Sequence, residues 1–199
     1  DGNFILTEEE AAQLTDPVAR KYLRPYLGSK EFLYGWTRWC LWLRDMDPAD
    51  MSSSPFLRER VRAVRKFRAR STAKSTRDYP HHHLFRQFGP MYTEPYLVIP
   101  EVSGESRRYM PVDRVPAETI TSNKLYSAAD PDGFAFAIAS SSMFFIWQKT
   151  VGGRMKSDPS FGSTLTWTTF PLPPITDAVQ ARICDAGRTV LEARALHPG

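Results

Sequence analysis

The sequence predicts an α+β fold, a small mixed or antiparallel sheet with helices packed on it. Two observations carry that prediction. Segments rich in aromatic and β-branched residues are interspersed with amphipathic helical segments, without the regular βαβ rhythm of a parallel sheet. A hydrophobic fraction of 42% over 199 residues is also enough to bury a core. With no internal repeat and no long linker, residues 1–199 are predicted to form one domain. Its parts are a helical stretch over about 1–78, a β-rich centre over about 79–130, and a helix-loop-strand with a C-terminal helix over about 131–199.

Thr7-Glu8-Glu9-Glu10 has the spacing of a capping box, so a short helix starts there and carries Ala11, Ala12 and Leu14. Asp16-Pro17 is a second start, an N-cap followed by Pro at the first helical position. Val18, Tyr22 and Leu23 keep helical spacing until Pro25 stops it, and Gly28-Ser29 breaks the chain. Trp39 to Leu43 predicts a strand ended by Asp45 and an Asp47-Pro48 turn. Ser54-Pro55 starts a third helix in which Leu57, Val61, Val64 and Phe67 form one buried stripe, with Arg62, Arg65, Lys66 and Arg70 outward. Ser71 to Arg77 continues as a basic, less regular segment.

Tyr96 to Ile99, a Gly104 turn and Arg108 to Val112 predict a β-hairpin with Arg107 and Arg108 near its tip, and Thr119 to Tyr126 adds a strand. Phe134 to Val151 is predicted as a helix burying Phe136, Met143, Phe144, Ile146 and Trp147, closed by a left-handed residue at Gly152-Gly153. Gly153 to Gly162 is then a loop, Thr164 to Thr168 a strand, and Phe170 to Pro174 an extended connector. Thr176 caps a last helix that runs to about Ala195.

Several function classes are excluded by what the sequence lacks. Its most apolar stretch, Phe134 to Trp147, is too short to cross a bilayer and is interrupted by Ser140 to Ser142, so no membrane partner is expected. Asp1-Gly2-Asn3 carries no secretory signal and is expected to open a domain cut from a longer protein. Cys40 and Cys184 are far apart and form neither a disulfide framework nor a zinc motif. His81-His82-His83 follows Pro80 as a polar loop, Gly152-Gly153 lacks the rest of any glycine-rich phosphate cradle, and Cys184 takes an apolar mid-helix position. The chain therefore carries no predicted catalytic residue, metal site or cofactor site of its own.

Charge is the informative feature. The chain has a net charge of +4, yet the window from Phe56 to Arg77 holds nine basic residues against the single acid Glu59. That window carries +8 and leaves the remainder acidic, the distribution expected of a protein that meets a polyanion.

Several segments resemble the target-recognition region of the MmeI-like class of DNA methyltransferases. These are Gly2 to Thr7, DPVARKYLRPYLGSKEF from Asp16, RWCLWLRDMDPA from Arg38 and LRERVRAVRKFR from Leu57. They continue with YLVIPEVSGESRRYMPV from Tyr96, SSSMFFIWQKTVGGRMKSD from Ser140 and TLTWTTFPLP from Thr164. The resemblance covers nearly the whole chain and implies a DNA target-recognition fold. In that class one polypeptide combines adenine-N6 methylation with sequence recognition and usually an endonuclease, the type IIG/IIL restriction-modification arrangement. The resemblance implies double-stranded DNA and a methyltransferase domain of the same polypeptide as partners, in a bacterial or archaeal cytoplasm. It places S-adenosylmethionine in that other domain, with Mg if the parent cleaves DNA. Neither the glycine-rich motif for that cofactor nor the Asn-Pro-Pro-aromatic motif for a flipped adenine occurs here.

By the same resemblance the loop Gly153 to Asp158 lies at the bases, with Lys156 and Asp158 as a reading pair. Lys can donate to guanine O6 and N7 while Asp accepts from the N4 amino group of the paired cytosine, so the two suit one G·C pair in the major groove. This chain continues with Pro159-Ser160-Phe161 where the family usually has an aromatic-basic-aromatic stretch. Asn123 and Lys124 are a second candidate base-reading pair, since Asn suits adenine and Lys guanine. Arg62, Arg65, Lys66, Arg68, Arg70, Lys74 and Arg154 are expected at phosphates. The alternatives are a protein-interaction module that docks its basic helix on an acidic surface, and RNA binding through Tyr92, Tyr96 and Trp167.

Overall fold

Helix-capping side chains set much of the chain's course in the computed structural model, which describes residues 2–197. Asp1 and residues 198–199, the ends of the predicted domain, lie outside the described residues. After a 3-10 turn at Gly2–Phe4 come β1 (Ile5–Thr7), α1 (Glu8–Ala12), α2 (Pro17–Arg20), β2 (Leu23–Leu27), α3 (Ser29–Tyr34) and β3 (Arg38–Leu41). Next are α4 (Pro48–Ser53), α5 (Pro55–Ala69), α6 (Lys74–Arg77), β4 (Tyr96–Pro100), β5 (Asp113–Val115), β6 (Ile120–Thr121) and β7 (Leu125–Ala129). The chain ends with α7 (Phe134–Ser140), α8 (Ser142–Val151), β8 (Gly153–Met155), β9 (Asp158–Ser160), a π-turn at Ser163–Trp167 and α9 (Asp177–Leu196). The fold is α+β, as the pattern predicts.

These elements form two compact units, each with its own core. The first takes the chain up to Leu27, then Trp36–Phe88 and Glu118–Ser122. Its sheet has the order β1-β3-β2-β6, antiparallel except for the β2/β6 pair. Phe4, Leu6, Cys40, Leu41, Leu57 and Val64 are fully buried in it, and burial pushes the Cys40 thiol up to about 12. The Thr7 capping box closes α1, with Glu10 N donating to Thr7 Oγ1 at 3.2 Å and Thr7 N to Glu10 Oε2 at 2.9 Å. Asp16 caps α2 by accepting from Val18 N and Ala19 N, and Ser54 caps α5 by accepting from Leu57 N at 3.0 Å. The Ser54 hydroxyl also donates to Asp16 Oδ2 at 2.6 Å, so one carboxylate ties two helix starts together.

Sequence and structure differ here where the sheet overrides local signals. Leu23 to Leu27 forms strand β2 and not the end of a helix, because β3 pairs along it. Pro25 is tolerated there because β6 pairs with Tyr26 and Leu27, beyond the proline. Asp47-Pro48 is a helix start, Asp47 accepting from Ala49 N at 2.8 Å, and not a turn. In α5 the buried stripe runs Leu57, Val64, Arg68, while Phe67 is 55% exposed. At 100° per residue Arg68 returns to within about 20° of Leu57, whereas Phe67 lies about 80° away.

The second unit takes Gly28–Gly35, Gly89–Ala117 and the chain from Asn123 onward. Its sheet is antiparallel in the order β5-β4-β7, and all five residues of β4 are buried. Asp130 fixes the start of α7 by accepting from Ala135 N and Phe136 N at 2.9 and 3.2 Å. α9 packs on α7 through Gly187, where an added Cβ would come within 2.7 Å of Ala137 Cβ.

Several predicted features change in this unit. The helix predicted over 134–151 is broken at Ser141, which is extended and caps α8 by accepting from Phe144 N at 3.1 Å. The break resets the helical phase, so Phe145 and Gln148 are buried while Met143 and Ile146 are 69% and 65% exposed. Gly152 is extended and not left-handed; a Cβ there would meet Gln148 O at 2.4 Å. The partner of β4 in the predicted hairpin is β5, at Asp113–Val115, rather than Arg108–Val112. Thr164 to Thr168 lies in a π-turn rather than a strand, its backbone competed for by threonine hydroxyls such as Thr166 Oγ1, which donates to Gly162 O.

Candidate nucleic-acid interface

The segment expected as a loop at 153–162 is largely an ordered hairpin. β8 and β9 pair antiparallel with Met155 opposite Asp158, so Lys156 and Ser157 are the two turn residues. Lys156 has φ +59°, the one positive φ at a non-glycine among the described residues. A left-handed lysine strains the backbone modestly, and a structure that keeps one holds it by its surroundings. Lys156 is exposed and forms neither an ion pair nor a hydrogen bond among the described residues.

Asp158 is half-buried, and its Oδ1 accepts from the Glu105 backbone N–H at 3.0 Å. The two charged heads are not engaged with each other. That leaves the ammonium and the second carboxylate oxygen, Oδ2, available to an outside partner. Donor and acceptor project from one tight turn, the arrangement that can read a base pair.

The hairpin is fastened on two sides. Val102 bridges Ser160, Ser103 N donates to Pro159 O at 3.1 Å, and Phe161 N donates to Glu101 O at 2.7 Å. From α8, the buried Gln148 donates through Nε2 to Ser160 O at 2.9 Å. Arg154 donates to Ser157 O at 3.0 Å and Lys149 O at 3.2 Å, and approaches Glu105 at 3.8 Å. Its guanidinium thus braces the turn and helix end while remaining exposed. Lys149 Nζ donates to Glu105 O and Arg107 O at 3.1 and 3.2 Å and lies 4.4 Å from the Phe145 ring centroid.

The second candidate pair, Asn123 and Lys124, forms the exposed turn before β7. Lys124 Nζ pairs with Glu101 Oε2 at 2.8 Å, and Lys124 O accepts from Glu101 N and from Ser29 Oγ. Glu101 also accepts from Phe161 N, so it connects this turn to the base of the hairpin. The structure therefore brings Lys156, Asp158, Asn123, Lys124 and Arg154 to one end of the second unit.

The basic residues of α5 and α6 belong to the first unit. Arg62, Arg65, Lys66, Arg70 and Lys74 are exposed, and Lys66 and Arg70 line an open groove with Asn3, Phe67, Ser71 and Thr72. Arg68 corrects the expectation. It is fully buried, donates to His81 O at 2.9 Å and Leu84 O at 2.6 Å, and lies 5.0 Å from the Tyr79 ring centroid. It holds the loop after α6 and cannot reach a phosphate. Burial and then the nearby Arg65 and Arg68 hold His82 below the usual imidazole range; burial, then His81 and Arg68, do the same to His83. No group of three or more His, Cys, Asp or Glu among the described residues is placed to hold a metal ion. No helix among them is long and apolar enough to cross a membrane.

Sequence reasoning missed Lys149, Gln148 and Glu105. Gln148 had one signal, a polar residue in an apolar run four places before a glycine, which is the spacing of close approach on a helix. Lys149 and Glu105 had none, because the ammonium meets the carbonyls of a loop distant in sequence and the Glu105 amide meets a carboxylate 53 positions away.

Comparison with known proteins adds three findings. The family model for the target recognition domain of MmeI matches residues 1–174. DNA methyltransferase A of Bacillus subtilis (strain 168) is 31% identical over 191 residues, which is 96% of this chain and 22% of the relative's length. A solved structure of the type IIL restriction-modification enzyme MmeI in complex with DNA superposes with a TM-score of 0.92 at 33% identity. It covers all of this chain, which spans 27% of that protein.

Proposed function

This chain belongs to the family of MmeI target recognition domains, and from that membership we propose that it reads the sequence of double-stranded DNA for a larger methyltransferase. The hairpin turn carries the proposal. Lys156 and Asp158 sit on a braced turn without pairing to each other, so they can donate to guanine O6 and N7 and accept from cytosine N4 in the major groove. Each good contact of this kind contributes on the order of 1 to 3 kcal/mol of discrimination. Asn123 and Lys124, linked to the same end through Glu101, supply a second set of base-edge groups. Arg62, Arg65, Lys66, Arg70 and Lys74 contact phosphates, fixing register without reading sequence.

In this reading the chemistry belongs to other parts of the polypeptide. The parent methylates adenine at N6 with S-adenosylmethionine held in its methyltransferase domain, cleaves with Mg where an endonuclease domain is present, and works in the cytoplasm. The exposed Met143 and Ile146 on α8 support a second contact, with another domain of that polypeptide.

The test is competition binding by the full-length polypeptide that carries this chain, using double-stranded DNA, single-stranded DNA, RNA and an acidic protein across a range of salt. Preference for the duplex, with log affinity falling linearly in log salt and single base-pair changes lowering affinity at defined positions, is expected. Stronger competition by the acidic protein, or indifference to DNA sequence, overturns it.

A further inference from the structure

Lys149 forms a closed circuit with the hairpin. Its ammonium holds the carbonyls of Glu105 and Arg107, its own carbonyl accepts from Arg154, and Arg154 also accompanies Ser157 in the turn and Glu105 in the loop. The amide of Glu105, set by that anchoring, is what binds Asp158 Oδ1. We propose that Lys149 is a positioning residue for base-pair discrimination, holding the Glu105 loop so that its amide fixes one oxygen of Asp158 and aims the other. This rests on the proposal that Lys156 and Asp158 read one base pair.

The physical reason is rotamer control. An aspartate on an exposed hairpin samples several side-chain orientations, and only some of them place an oxygen against a cytosine amino group. One hydrogen bond from a loop amide selects among them, provided the loop itself is fixed. Gly104 to Arg107 is a turn, closed by Arg107 N donating to Gly104 O at 3.1 Å, and Lys149 is its tie to α8. The Phe145 ring lies 4.4 Å from the ammonium, which adds a cation–π contact and limits its movement. Lys149 thus satisfies two carbonyls and takes no phosphate-facing role. Specificity at this base pair therefore depends on a residue that touches no base.

The experiment is a double-mutant cycle in the full-length polypeptide, measuring affinity for its cognate duplex, for the variant changed at the pair read by Asp158, and for unrelated DNA. Asp158→Ala is expected to remove the discrimination at that pair. Lys149→Met alone is expected to lower it about tenfold while affinity for unrelated DNA stays within about twofold, and Lys149→Arg, which can donate to both carbonyls, is expected to restore it. In the Asp158→Ala background Lys149→Met should change nothing further. Equal losses in both backgrounds, or a uniform loss on all DNA, would show a direct contact or a general structural role and overturn the inference alone. If Asp158→Ala leaves discrimination intact, the reading pair falls and this inference falls with it.

Discussion

Replacing Arg68 with methionine separates a structural arginine from a phosphate-binding one within a single helix. The substitution keeps a long apolar stem in the core and removes the guanidinium. Leu84 O then loses its donor, His81 O keeps only the Leu84 N–H, and Tyr79 loses its cationic neighbour. The carbonyl left unmatched costs about 1 to 3 kcal/mol, the bond lost at His81 O about 1, and the lost cation–π contact about 1. Relief of the desolvation of a buried guanidinium offsets part of this, as does partial hydration at the half-buried Leu84. The net expectation is a loss of about 1 to 3 kcal/mol, seen as faster hydrogen exchange of α5 amides and a lower denaturation midpoint for the first unit. Arg65, exposed one turn earlier, serves as control. Arg65→Gln is expected to leave stability within about 0.5 kcal/mol, to weaken binding to all DNA alike and to flatten the salt slope by about one unit. If Arg68→Met unfolds like the parent and instead flattens the salt slope as Arg65→Gln does, the burial argument is wrong.

Two further outcomes follow from the geometry. Gly187→Ala gains up to about 1 kcal/mol of helix propensity but forces a methyl within 2.7 Å of Ala137 Cβ, so a net loss on the order of 1 kcal/mol is expected in chemical denaturation; a gain in stability would show that α9 moves freely on α7. His82 and His83 are held below the ordinary imidazole value, so the neutral form stabilises the folded chain. That contribution is complete above pH about 6.5 and is lost as pH falls through the lowered folded values. Urea midpoints should therefore fall on acidification below that value, and the fall should shrink in a His82→Gln, His83→Gln variant.

Much of the fold was legible where one residue decides a local outcome. Thr7, Asp16, Ser54 and Thr176 all cap helices where the sequence signals them, because an N-cap bond spans only two or three residues. Burial was less legible. Ser141 breaks a helix that composition alone would continue, and Met143 and Ile146 after it turn outward while Phe144 stays buried. Arg68 shows the opposite error, since a charge read as outward is buried by the same 3.6-residue period that buries Leu57 and Val64. At the site, Lys156 and Asp158 were visible by resemblance, but the turn that presents them and the bonds from Glu105, Gln148, Lys149 and Arg154 were not. Those bonds join residues up to 53 positions apart, and no local spacing rule reports them.

The central claim is that the hairpin turn reads one G·C pair, and exchanging its charges tests that most directly. The full-length polypeptide, supplied with S-adenosylmethionine, would be presented with random-sequence DNA and its methylated positions read by sequencing, first unaltered and then with Lys156→Glu and Asp158→Arg together. The account predicts a modified motif with one fixed G in the unaltered protein, and the same motif with C at that position after the exchange. A methylated motif that the exchange leaves unchanged would contradict it and place base reading outside the turn.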